Sequence, residues 1–252
     1  MITNWPLVFF TVFSQLGAGV AFFSWWKDRR DAASSSRGRQ FSAVSAALAL
    51  IASLINFSGL ASGAMLIAQA GCLILALASV GASRGCAPCG LAAWLAGACC
   101  VMAQAAAAVP GEVWSLSGMF PLVLFPLCTI ILGASFSQLK QLGEAEDASV
   151  RYGRFYMPLR ICLWIMLIIT AIAPCMAWED PFMRKSAIIW MQTQLYWMGV
   201  IFSGVVLGLS HMGRITLPVQ AIVAFVSIFG LRTAFYADGV HGIIDMSTLY
   251  MR

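Results

Sequence analysis

An arginine at position 232, set inside an otherwise apolar run, has the greatest capacity for chemistry in this chain. A charge there costs about 2.5–3.5 kcal/mol on insertion scales if it faces lipid, so it is expected to face protein. It could hold an anionic or carbonyl-bearing ligand, or it could reach the membrane interface or pair with nearby Asp238. Gln15 and Thr11 lie four residues apart in the first apolar run and so share one helix face. Both can hydrogen-bond a ligand carbonyl or join helices, and Thr11 reads as a packing residue.

Cys86 and Cys89 form a Cys-x-x-Cys pair in a short polar segment. Zinc would need two further ligands and an iron–sulfur cluster four thiolates, and no such ligands stand nearby in sequence. The pair is therefore expected to be a free dithiol. Cys72, Cys99, Cys100, Cys128, Cys162 and Cys175 fall in apolar runs and read as buried, inert thiols. The two histidines, His211 and His241, are too few for paired haems, and the topology below puts them on opposite sides. Redox chemistry here would use a diffusible carrier such as a quinone, the alternative being no redox role.

The elements that must position these residues are membrane spans. Hydrophobic residues make up 61% of the 252 and charged ones only 10%, a balance that a soluble core does not require. Crossing about 30 Å of hydrocarbon takes roughly 20 helical residues. Eight runs qualify, at 5–26, 41–60, 64–82, 90–108, 117–136, 161–178, 187–210 and 217–235, giving an all-α bundle of eight transmembrane helices. No charge or proline separates the second and third runs, so a kinked pair, leaving seven spans, is the alternative there. Eleven of the fifteen Lys and Arg fall in the loops after odd-numbered spans, which places those loops in the cytoplasm and both termini on the outer side. The net charge of +5 is thus a topology signal, and nucleic acid is excluded as a partner. The chain reads as a single transmembrane domain over 1–252, with long cytoplasmic loops at 27–40 and 137–160. Its first span lacks a basic n-region and a cleavage site, and is expected to stay uncleaved.

The two ends of the chain resemble one family. The opening Trp5-Pro6-Leu7-Val8-Phe9-Phe10-Thr11-Val12-Phe13-Ser14-Gln15, followed by Gly17, Ala18 and Gly19, is similar to the first helix of dimethyl sulfoxide reductase anchor subunits. Arg232-Thr233-Ala234-Phe235-Tyr236, with His241 following, is similar to the Arg-x-x-Phe-Tyr signature of that family's last helix. The resemblance covers about a fifth of the residues, the middle of the chain agreeing only in hydropathy. It implies a haem-free anchor in the bacterial inner membrane, without an iron–sulfur cluster of its own. Such an anchor holds an iron–sulfur subunit and a molybdopterin catalytic subunit, oxidises menaquinol, and passes the electrons to the iron–sulfur subunit during anaerobic respiration.

By the same resemblance, Gln15, Asn56, Arg232 and Tyr236 would bind the quinol in a cleft between the first, second and last helices. Two positions depart from the family. Asn56 follows Ile51-Ala52-Ser53-Leu54-Ile55 where the family has a histidine, and Ile228 stands where an acidic residue is usual one turn before the arginine. Quinol oxidation releases protons and profits from a base titrating near neutral pH, which Asn56 is not. His241 is the candidate proton acceptor in its place, with Glu112 and Asp238 as further outer-face candidates. A rival reading is a small multipass transporter with helices broken at Pro110, Pro121, Pro126 and Pro174. The lack of a clear internal repeat weighs against it, and an anchor without quinol chemistry is the third reading.

Overall fold

The computed structural model describes residues 5–28, 36–55, 63–108, 120–139, 148–176, 188, 191–212 and 216–237, and these are helical apart from short turns. In chain order the helices are α1 (Trp5–Asp28), α2 (Ser36–Ile55), α3 (Gly63–Ser83), α4 (Ala87–Ala108), α5 (Phe120–Leu139) and α6 (Ala148–Arg151). A π-helical turn over Tyr152–Tyr156 follows, then α7 (Met157–Met176), α8 (Gln194–Leu209) and α9 (Leu217–Ala237). Proline marks several starts. Pro6, Pro88, Pro121 and Pro218 each occupy the second position of α1, α4, α5 and α9, where a missing N–H has no helical partner to lose.

Seven helices among the described residues are long and apolar enough to cross a bilayer. The protein is thus a helical protein suited to multiple membrane crossings. The expected second and third spans are separate helices, α2 and α3, packed on each other. In the region of the expected seventh span, α8 has only 16 residues and falls short of the crossing length.

The expected sixth span at 161–178 begins earlier. Helical structure runs from Ala148 through the π turn into α7, so much of the polar stretch expected as a loop at 137–160 is helix, and Arg151 and Arg154 are buried. Aromatic residues explain the extension. The Arg160 guanidinium lies 5.0 Å from the Tyr152 ring centroid and 5.5 Å from that of Tyr156, and it donates to the hydroxyl and carbonyl oxygens of Ser210. The π turn sits where Pro158 would otherwise press its ring on the carbonyl four residues back. There the Met157 N–H reaches Tyr152 instead, five residues back.

The first helix is the hub of the bundle. In α1, 78% of the membrane-crossing stretch is buried, against 33% in α3, and α1 packs on α2, α4, α5 and α9. Its Gly17-Ala18-Gly19 stripe makes this possible. Gly17 faces the Ser42 carbonyl of α2, Ala18 fits Gly97 of α4, and Gly19 meets Gly133 of α5 backbone to backbone. In lipid, where apolar side chains gain little by leaving solvent, such close approaches supply the association energy. Ser42 adds polar glue, donating to the Gly17 carbonyl at 2.8 Å and pairing with Ser79 of α3 at 3.1 Å.

Candidate functional site

Arg232 is among the most completely buried large side chains of the protein, with 1% of its surface exposed. It does not reach the membrane interface, one of the alternatives the sequence left open. Instead its Nη2 donates to Gln15 Oε1 at 3.1 Å, and its guanidinium carbon lies 3.5 Å from the centroid of the Phe125 ring. Three helices therefore build the site: α1 through Gln15, α5 through Phe125 and α9 through Arg232. Tyr236, one turn beyond Arg232 on α9, is buried as well. Gln15 stands ten residues into α1, about 15 Å along it at 1.5 Å per residue.

The hydrogen-bond inventory of the site is one-sided. Gln15 Oε1 is taken by the arginine, whereas Gln15 Nε2, Arg232 Nε and Nη1 and the Tyr236 hydroxyl have no partner among the described residues. Three of these four groups are obligate donors. Among the described residues, the Arg232 guanidinium is met by an amide dipole and a ring face. A cation over a desolvated ring gains about 2 kcal/mol, and a hydrogen bond to a charged group about 1.5–3 kcal/mol. Together these are of the same order as the cost of about 2.5–3.5 kcal/mol for placing an arginine in a membrane span. What the site can do chemically is present donors and a fixed positive charge to an oxygen that carries, or develops, negative charge.

An apolar cleft of about 250 Å³, to which none of these side chains contributes, lies between α1, α4 and α5, lined among others by Ala18, Phe22, Trp94, Met102, Pro126 and Ile130. Ala18, Gly19 and Phe22 follow Gln15 by three, four and seven residues, so they continue along its face of α1. Pro126 interrupts the hydrogen-bond ladder of α5, and the Thr129 hydroxyl bonds back to the Phe125 carbonyl at 2.9 Å.

Of the expected site residues, Gln15 and Arg232 are in contact between α1 and α9, with Tyr236 one turn further along α9, and Phe125 of α5 adds a ring that the sequence reading did not include. Asn56 and His241 lie outside the described residues, as do Glu112 and Asp238. Thr11 is buried, and its hydroxyl donates to the Val8 carbonyl of its own helix at 2.9 Å. His211 is exposed at the end of α8. Cys72, Cys100, Cys128 and Cys162 are buried thiols as expected, whereas Cys99 is exposed. The expected free dithiol is instead a disulfide joining Cys86 and Cys89.

Phe125 carried no signal in the sequence, being one aromatic residue in an apolar run. A second group did carry one. Gln104 interrupts the alanine-rich end of α4, and its Nε2 donates to Ser14 Oγ of α1 at 2.6 Å, next to Gln15. No protein-family model matches the chain, and no curated protein is significantly similar to it.

Proposed function

We propose that this chain is the haem-free membrane anchor of a molybdenum and iron–sulfur oxidoreductase of the bacterial inner membrane, and that it oxidises menaquinol. The observation that carries the reading is the hydrogen bond between Arg232 and Gln15, a contact across 217 positions that joins the two ends on which the family resemblance rests. Around it, donors of Gln15, Arg232 and Tyr236 without a partner among the described residues suit the oxygens of a quinol headgroup, and the cleft between α1, α4 and α5 suits an apolar tail. Arg232 stabilises the quinolate formed as the first proton leaves, and the electrons pass to an iron–sulfur subunit docked on the anchor. In this reading eight spans cross the membrane, α8 being the seventh in chain order, with both termini outside. Asn56 hydrogen-bonds the substrate and His241 accepts a proton. The molybdopterin subunit chooses the terminal acceptor.

Gentle solubilisation of the tagged protein from its native membranes tests this directly. A copurifying ferredoxin-like subunit and molybdoenzyme, with molybdenum, iron and menaquinone in the sample, is the expected result. Partners without bound quinone would leave an inert anchor, and a solitary protein free of metal and quinone would favour transport.

A further inference from the structure

We propose that Cys86 and Cys89 form a thiol–disulfide exchange site, reduced by a soluble protein dithiol of the thioredoxin class. The inference stands on a different part of the molecule from the quinol reading and does not depend on it. The two sulfurs are bonded across three residues, with Cα atoms 5.4 Å apart. They sit in the tight turn between α3 and α4, where the Arg84, Gly85 and Cys86 N–H groups close on the Gly81 and Ala82 carbonyls. Gly85 adopts a φ of +96°, which only glycine accepts freely. Cys86 directly precedes α4, and Cys89 lies in its first turn after Ala87 and Pro88, both exposed.

The two sulfurs are not equivalent. Cys89 Sγ is set against α3 at Gly81, where a Cβ would come within 3.0 Å of it, so attack there is hindered. Both cysteines are half-exposed, but no such contact covers Cys86 among the described residues, and an incoming thiolate meets its sulfur first. Its position at the positive end of a 22-residue helix favours a thiolate once the bond opens. Two arginines add to this. Arg84 is exposed two residues before it, and Arg39 of α2 donates to the Ala82 carbonyl of the same turn. The charge bias places this turn in the cytoplasm, where a permanent structural disulfide is rare and a cycling one is the usual kind.

In the exchange, a thiolate of the reductant bonds to Cys86 Sγ and breaks the bond to Cys89, which leaves as a thiolate and takes up a proton. The second thiol of the reductant then attacks the mixed disulfide and releases Cys86 as a thiol. Two electrons and two protons have passed to the pair, and the reductant departs as a disulfide.

The test uses the full-length protein in mild detergent, air-oxidised and then treated with thioredoxin, its reductase and NADPH before thiol labelling with a maleimide. Two additional labelled cysteines are expected in the wild type and none in a Cys86→Ser/Cys89→Ser variant. A thioredoxin lacking its resolving cysteine should be trapped on the wild-type protein, with Cys86 as the linked residue by mass spectrometry. If a small dithiol opens the pair but thioredoxin does not, the disulfide is structural and the proposal fails. It also fails if both thiols label equally before reduction, because no exchangeable bond then forms.

Discussion

At the scale of single residues, the pairing of Arg232 with Gln15 sets up an asymmetry that mutants can read. Removing Gln15 leaves a buried charge with one fewer acceptor, whereas removing the charge leaves only a neutral amide to re-pair. Gln15→Leu is therefore expected to lose about 1–3 kcal/mol of stability, and Arg232→Met to lose less. The double variant should recover part of the Gln15→Leu loss, and chemical unfolding of the four proteins in detergent supplies the cycle. Activity should follow the opposite order. If Arg232 stabilises the quinolate, Arg232→Met is expected to lower menaquinol oxidation by the assembled complex by about 10²–10³-fold, the usual loss when one preorganised stabiliser is removed. Unchanged turnover in a folded, assembled Arg232→Met complex would remove Arg232 from the mechanism.

At the scale of elements, α1 is the helix on which the others are hung, and its small residues decide how closely they come. A Cβ on Gly19 would strike the Thr129 carbonyl and come within 2.8 Å of Gly133 Cα, whereas one on Gly208 of α8 would meet open space. Gly19→Leu is accordingly expected to part α1 from α5, costing at least 1–3 kcal/mol, and to reduce the monodisperse fraction on size-exclusion chromatography. Gly208→Ala should leave that profile unchanged. The other elements vary in how plainly the sequence announces them. Helix starts at Trp5, Ala87, Phe120 and Leu217 are written in the prolines that follow, and α1, α3 to α5 and α9 lie close to the expected runs, whereas α2 begins at Ser36, inside the stretch expected as the loop 27–40. The extension of α7 back to Ala148 is not legible in the same way. Its arginines read as loop residues by charge, and only the fold shows Arg151 and Arg154 buried and Arg160 held over two tyrosine rings.

At the scale of the whole molecule, the charge bias among the loops predicts which side each one faces. With both termini outside, an impermeant thiol reagent applied to intact cells should reach a single cysteine placed at position 2 in a cysteine-free background. It should not reach one placed in the 29–35 or 140–147 segments. Labelling of the 140–147 segment from outside would overturn the arrangement. What the sequence by itself determined is the solvent of this protein and the approximate course of its helices. Apolar runs of crossing length and the bias of lysine and arginine among loops are local properties, readable without a structure. It also marked Gln15 and Arg232, because polar groups are costly in that solvent. Only the tertiary structure decided that these two meet, that Phe125 of α5 covers the arginine, and that α1 lies at the centre. The reason is physical: lipid tails and protein interiors are both apolar, so hydropathy identifies a segment that can leave water but not the neighbour it packs against. That choice is made by shape, by where glycines let backbones touch and where a buried donor finds its acceptor.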